Sequence, residues 1–204
     1  MARKKVGLAL SGGGARGFAH VGVLRVLAEN NIPIDMIAGT SAGSIIGGAY
    51  ASGMTVAEIE AMSEKTAWMK TIGPTLSFGG MLSNAPMGKF LALHFPVTRF
   101  EDLKIPFAAV AFDLATSQTV IFQEDGDLVA AIRASCAVPG IFAPVRDEAG
   151  RTLVDGGVLS PMPVETVRDM GADVVIAVDL LSCGSSFAED SRSSLGIVLQ
   201  CAMA

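Results

Sequence analysis

Met36-Ile37-Ala38-Gly39-Thr40-Ser41-Ala42-Gly43 joins a short apolar run to a serine between two glycines, and Ser44-Ile45-Ile46-Gly47-Gly48-Ala49 continues it with small and apolar residues. The pattern reads as a strand that ends in a sharp turn with a helix behind it. That is the layout of a nucleophile elbow, with the Ser41 hydroxyl projecting at the turn. Gly39 and Gly43 suit such a turn because it is strained and tightly packed, and a Cβ at either position would collide with its neighbours. A helix starting behind Ser41 also leaves free backbone N–H groups and a positive dipole end near the hydroxyl, where negative charge would develop.

Outward from the elbow, apolar runs alternate with helical patterns. Val6 to Leu10 reads as a first buried strand, followed by a glycine cluster and a helix over roughly Phe18 to Asn30. Asp35 to Ala38 is the second strand, and the helix after the elbow reaches about Ser52. Thr55 and Glu58 form a capping-box signature for a helix that carries Ile59 and Met62 on one face. Phe107 to Leu114 and Thr119 to Gln123 read as strands, Leu128 to Ala134 as a helix, and Leu153-Val154 as the end of another strand. A short helix follows over Pro163 to Met170, with proline in its first turn and Gly171 as its cap, before a last strand over Asp173 to Leu180. Such alternation predicts an α/β fold, a largely parallel sheet sandwiched by helices. Between Ile72 and Phe100 the texture is irregular, with glycines and prolines among Phe78, Met81, Leu82, Met87, Phe90, Leu91 and Phe95.

With 204 residues the chain suits one domain, spanning 1–204. Charged residues make up only 17%, and much of the apolar half is Ala, Val and Met, which suits strands covered on both faces. No stretch reaches the ~18 consecutive apolar residues of a membrane-spanning helix, and Val6 to Leu10 is too short for the apolar core of a secretory signal. Three cysteines at unpatterned spacing do not make a disulfide framework, so the expected setting is the cytoplasm. A net charge of −5 with no Lys/Arg run argues against nucleic acid as a partner. The last segment, Leu195 to Ala204, reads as the start of an apolar helix that stops, so the expectation is a natural chain that continues further, against a naturally frayed C-terminus.

A serine nucleophile needs oxyanion donors and a base. Ser11-Gly12-Gly13-Gly14-Ala15-Arg16-Gly17 follows the first strand and opens the first helix, so its N–H groups are unencumbered by side chains. If the first two strands are neighbours, this loop lies beside the elbow, with Gly13, Gly14 and the N–H of Ala42 as an oxyanion hole and Arg16 holding the loop or an anionic group. Each such donor is worth roughly 3–4 kcal/mol in the transition state. Gly12-x-Gly14-x-x-Gly17 also fits a dinucleotide-binding loop. That reading requires an acid at the exit of the second strand, where Gly39-Thr40-Ser41 stands; Asp35 lies at its entrance. For the base, His20 falls on the first helix and His94 in the irregular segment, and both read as structural. Neither follows an acid in the Ser…Asp…His order of α/β-hydrolases, an order that only a histidine beyond residue 204 would supply. Asp155, in Val154-Asp155-Gly156-Gly157, ends an apolar strand and is either a base or an ordinary turn acid.

The glycine loop opening at Gly12, the elbow at Ser41 and Asp155-Gly156-Gly157, in that order, resemble the patatin-like phospholipases, and the small bacterial members most of all. The resemblance runs through nearly the whole chain, including Gly17 to Leu24 and Ile132 to Pro144. It implies a three-layer α/β/α sandwich and hydrolysis of lipid acyl esters without metal or other cofactor. It also implies a Ser–Asp dyad, with Ser41 as nucleophile, Asp155 as base and the Gly12–Gly17 loop as oxyanion hole. A carboxylate of ordinary pKa is a poor base for a hydroxyl, so the dyad requires a dry cleft that raises the proton affinity of Asp155. Gly79 to Phe95, rich in Phe, Met and Leu, is the candidate lid or acyl-chain wall, against plain packing on the sheet. The expected partner is a lipid or acyl-ester substrate, with transient, peripheral membrane contact. The alternatives are a general carboxylesterase or thioesterase, and a catalytically silent lipid-binding protein that keeps the pocket.

Overall fold

The computed structural model describes residues 2–65 and 82–181. Among them, a seven-stranded sheet consists of β1 (Val6–Leu10), β2 (Met36–Thr40), β3 (Phe107–Asp113), β4 (Gln118–Phe122), β5 (Val145–Arg146), β6 (Thr152–Asp155) and β7 (Val174–Val178). The helices are α1 (Ala19–Glu29), α2 (Ala42–Ala51), α3 (Val56–Lys65), α4 (Ala85–His94), α5 (Leu128–Ser135) and α6 (Val164–Asp169). The strand order is β5-β6-β3-β2-β1-β7, with β4 also pairing β3. Pairings among β7, β1, β2 and β3 are parallel, whereas β4 and β6 run antiparallel to β3. The sheet is therefore mixed, parallel at its centre as the apolar runs predict and antiparallel beyond β3.

Period-two alternation sends successive side chains to opposite faces. Leu8, Leu10, Ile37, Phe107 and Ala109 face one core, shared with α1, α2, α3 and α5. Ala9, Met36, Ala38 and Ala108 face the other, closed by Val167 of α6. Helices thus cover both faces, the three-layer sandwich that the sequence leads one to expect. The small residues behind the elbow let α2 sit low on the sheet. A Cβ on Gly47 would lie 3.0 Å from the Phe107 ring, and one on Gly48 would lie 2.7 Å from Ile132 Cδ1. Truncating the fully buried Phe107 would remove the floor beneath α2 and cost about 3–5 kcal/mol.

One feature of register positions the chemistry. β4 pairs Ala109 to Asp113 of β3, overlapping both β2, at Phe107 to Val110, and β6, at Ala111 to Asp113. A strand has two edges, so β2 and β6 must share the edge that β4 leaves open. They meet end to end, with Thr40 opposite Val110 and Asp155 opposite Ala111. Consecutive β3 residues lie about 3.8 Å apart. The end of β2 and the end of β6 are therefore brought together halfway along β3.

The capping box forms: Thr55 Oγ1 accepts from the Glu58 N–H at 3.2 Å, and Glu58 Oε2 accepts from the Thr55 N–H at 2.7 Å. The irregular 72–100 segment contains a helix, α4, which starts with Pro86 in its first turn. α4 is anchored where Asn84 Nδ2 donates to the Arg133 carbonyl at 2.7 Å and where Leu91 enters the core. The described part of the lid candidate is thus tied to the core at Asn84 and Leu91 while Leu93 stands exposed, and 79–81 and the apolar 195–204 segment lie outside the described residues.

Candidate active site

Ser41 follows the last residue of β2 and is the N-cap of α2, with φ 52° and ψ −122°. A left-handed φ on a residue with a Cβ is costly and persists only where neighbours enforce it. Here they do. A Cβ on Gly39 would lie 2.4 Å from the Gly43 carbonyl oxygen, and one on Gly43 would lie 2.2 Å from the Leu10 carbonyl oxygen. The turn closes only with glycine at both places. The Ser41 hydroxyl caps nothing in its helix, and its carbonyl accepts from Ser44 Oγ at 2.6 Å.

Asp155 ends β6 and is 5% exposed. Its Oδ1 accepts the Gly157 N–H at 2.8 Å, while Oδ2 is buried with no hydrogen-bond partner among the described residues. Burial pushes its pKa up to about 6, against the Ser41 hydroxyl and the Gly157 N–H, which favour the ionised form. The Ser41 hydroxyl stands close enough to the carboxylate to favour its ionised form. Gly156 is fixed by the sheet, since a Cβ there would lie 2.3 Å from the Val110 carbonyl oxygen.

The glycine loop runs against the elbow. β1 and β2 are parallel neighbours, with Leu10 beside Gly39, so both loops leave the same sheet edge. A Cβ on Gly12 would lie 3.5 Å from Ser41 Cβ, and one on Gly17 would lie 2.6 Å from Ala42 Cβ. Gly12 is nonetheless no oxyanion donor, because its N–H is committed to the Pro161 carbonyl at 3.0 Å. The N–H groups of Gly13, Gly14 and Ala42 meet no acceptor among the described residues. Arg16 lies on the single 3-10 turn, Gly14–Phe18, that follows the loop.

His20 is fully buried, and its Nε2 lies 2.9 Å from the Ser11 carbonyl. A carbonyl only accepts, so Nε2 carries the proton and Nδ1 is the bare nitrogen, with no partner among the described residues. Burial holds the His20 pKa below its usual value, outweighing the Ser11 bond. It supports the glycine loop. His94 Nδ1 pairs with the Phe90 carbonyl at 2.8 Å and stacks on the Phe90 ring, a structural role on α4. Asp35 binds Arg3 and the Val6 N–H at the opposite sheet edge, away from where a nucleotide ribose would sit. Among the described residues no group of His, Cys, Asp or Glu converges as a metal site requires.

Three residues at the site carry no motif that singles them out. The buried Ser135 Oγ accepts the Ser41 N–H at 2.9 Å. The Cys136 thiol lies 3.7 Å from Ser44 Oγ, and its pKa is pushed up by burial and by the Asp155 charge. The Ala137 carbonyl accepts the Asp155 N–H at 3.0 Å.

The family model for patatin-like phospholipase matches residues 8–168, a span that takes in the glycine loop, the elbow and Asp155. The chain belongs to the patatin-like phospholipase family. Among patatin-like relatives it is 37% identical over 194 residues to an uncharacterised NTE family protein of Mycobacterium tuberculosis, covering 94% of this chain and 53% of that protein. It is 36% identical over 183 residues to a lysophospholipase of Neurospora crassa, covering 87% of this chain and 12% of the other. The chain thus spans about half the length, or less, of these patatin-like relatives. The crystal structure of VipD from Legionella pneumophila shares the fold, with a TM-score of 0.66 at 16% identity over 78% of this chain and 47% of that one.

Proposed function

We propose that the protein is a serine lipid acyl hydrolase that cleaves fatty-acyl esters through a Ser41–Asp155 dyad and an acyl-enzyme. Ser41 Oγ attacks the ester carbonyl carbon as its proton passes to Asp155 Oδ2. The oxyanion is held by the N–H groups of Gly13, Gly14 and Ala42. Collapse expels the alcohol, which takes the proton back from Asp155. Water, deprotonated by Asp155, then attacks the acyl carbon, and collapse releases the fatty acid as Asp155 returns the proton to the departing Ser41 Oγ.

The observation that carries this reading is the buried Asp155 carboxyl with a bare Oδ2 and a pKa pushed up to about 6, beside a serine held in an elbow. That makes the carboxylate a competent base near neutral pH, which an exposed one is not. A lipid substrate is supported by the family and by exposed apolar side chains in the two turns that carry the site. Phe18 stands 46% exposed after the glycine loop, and Val158 and Leu159 stand 52% and 58% exposed after Asp155-Gly156-Gly157. Transient contact with a membrane surface, in a cytoplasmic setting, belongs to the same proposal.

Turnover of a lysophospholipid series, set against p-nitrophenyl esters and acyl thioesters of matched chain length, tests the assignment. Preference for the lysophospholipids, growing with chain length, is expected. Equal turnover of short water-soluble esters makes it a general esterase. Absence of turnover on every class makes it a silent binding protein.

A further inference from the structure

The segment Ser135-Cys136-Ala137, where α5 ends, touches both halves of the proposed dyad. Ser41 sits one residue past the end of β2, so its N–H has lost the ladder. The β1 pairing stops at Gly39, and the β3 edge is taken over by β6 from Ala111 onward. A buried N–H without an acceptor is costly. Ser135 Oγ supplies the acceptor at 2.9 Å, from a side chain with no solvent exposure. Two residues on, the Ala137 carbonyl receives the Asp155 N–H at 3.0 Å. Between them, Cys136 packs its thiol against Ser44 Oγ, on the first turn behind the elbow.

We infer that Ser135 is a positioning residue whose hydroxyl, by accepting the Ser41 N–H, fixes the strained elbow at the working distance from Asp155. The inference rests on Ser41 being the nucleophile. One short segment then sets both ends of the pair: Ser135 fixes where Ser41 stands, and Ala137 fixes where Asp155 stands. The span between them is a stretch of two peptide units leading out of a packed helix. Removal of the acceptor would let Ser41 relax toward an ordinary φ, turning its hydroxyl away from Asp155, while leaving the glycine loop and Asp155 in place. A misplacement of about 1 Å in a reacting group costs about 100-fold in rate.

The test compares wild type, Ser135→Ala and Ser135→Cys in kcat and KM for a short-chain p-nitrophenyl ester, and in the rate of fluorophosphonate labelling at Ser41. Ser135→Cys keeps the side-chain volume but offers a weak acceptor, so it keeps the comparison open should the alanine variant fold poorly. The expected result is kcat and labelling rate down about 10- to 100-fold in Ser135→Ala with KM within twofold, and an intermediate loss in Ser135→Cys. Val167→Ala, buried on the opposite face of the sheet, provides a variant of lowered stability; it is expected to keep wild-type kcat. Equal labelling rates in wild type and Ser135→Ala, or a kcat loss in Val167→Ala that matches its loss of stability, would overturn the inference. Failure of wild type to label at Ser41 would instead remove the nucleophile assignment beneath it.

Discussion

Asp155→Asn is expected to abolish turnover and at the same time to stabilise the protein at neutral and alkaline pH. The folded-state pKa of about 6 lies above the ordinary 3.8 of an aspartate, with burial as the leading cause. The folded protein therefore binds this proton more tightly than the unfolded chain does. Such a group favours folding at acid pH, and the advantage is lost as pH rises from 3.8 through 6. Two pKa units and a little more, at 1.36 kcal/mol each, put the full difference at about 3 kcal/mol. At pH 4 about 0.5 kcal/mol of it has been lost; at pH 8 essentially all of it has. An asparagine has the same shape, keeps an oxygen for the Gly157 N–H, and carries no charge to desolvate. Urea unfolding of both proteins at pH 4 and pH 8 measures the difference. The variant should be nearly matched with wild type at pH 4 and more stable by about 3 kcal/mol at pH 8, with unchanged m-values. Equal differences at the two pH values, or a variant less stable at pH 8, would refute the claim that a charged Asp155 is buried at a cost.

The same ionisation should appear in the rate. For a neutral ester, kcat/KM is expected to fall below about pH 6 with unit slope, since only the deprotonated carboxylate takes the Ser41 proton; a profile flat down to pH 4.5 would exclude Asp155 as the base. His20 acts in the opposite direction on stability. Its folded pKa is lowered by burial, so its contribution is present at high pH and is lost as pH falls below the unfolded value of about 6.5. His20→Phe should remove that part of the acid lability, seen in thermal melts at pH 5 and 8, and should lower turnover by no more than about tenfold through loss of the Ser11 contact. Gly43→Ala, whose Cβ would lie 2.2 Å from the Leu10 carbonyl oxygen, should cost more than about 3 kcal/mol or prevent folding. Gly22→Ala on α1, where a Cβ meets nothing within 4 Å, should instead stabilise by about 0.5–1 kcal/mol in the same melts.

The elbow was readable because strain leaves a compositional trace. A serine cannot hold φ 52° between a strand and a helix without glycines at Gly39 and Gly43, and those glycines stand at fixed spacing. The glycine loop and Asp155-Gly156-Gly157 left similar traces, and β1, β2 and β3 announced themselves through apolar runs. The meeting of β2 and β6 on one edge of β3 left none, because register and strand direction are set by distant partners. Gly12 shows the same limit: its N–H has the composition of an oxyanion donor and is spent on Pro161, almost 150 residues away in sequence. Ser135 and Cys136 carry no motif of their own in the sequence, since a hydroxyl that binds one remote N–H needs no characteristic neighbour. The helix over Ala85–His94 was hidden by Pro86 and Gly88. Proline belongs in the first turn of a helix, and Gly88 fits beneath Arg133, whose Cδ a Cβ would approach to 2.3 Å.

The central claim is that Ser41 is an activated nucleophile and Asp155 the acid that activates it. Treatment of the protein with a lipophilic fluorophosphonate, followed by intact mass measurement and peptide mapping, addresses it directly. One adduct is expected, on Ser41, formed in wild type and lost in a folded Asp155→Asn. An adduct on another residue, or undiminished labelling of Ser41 without Asp155, would contradict it.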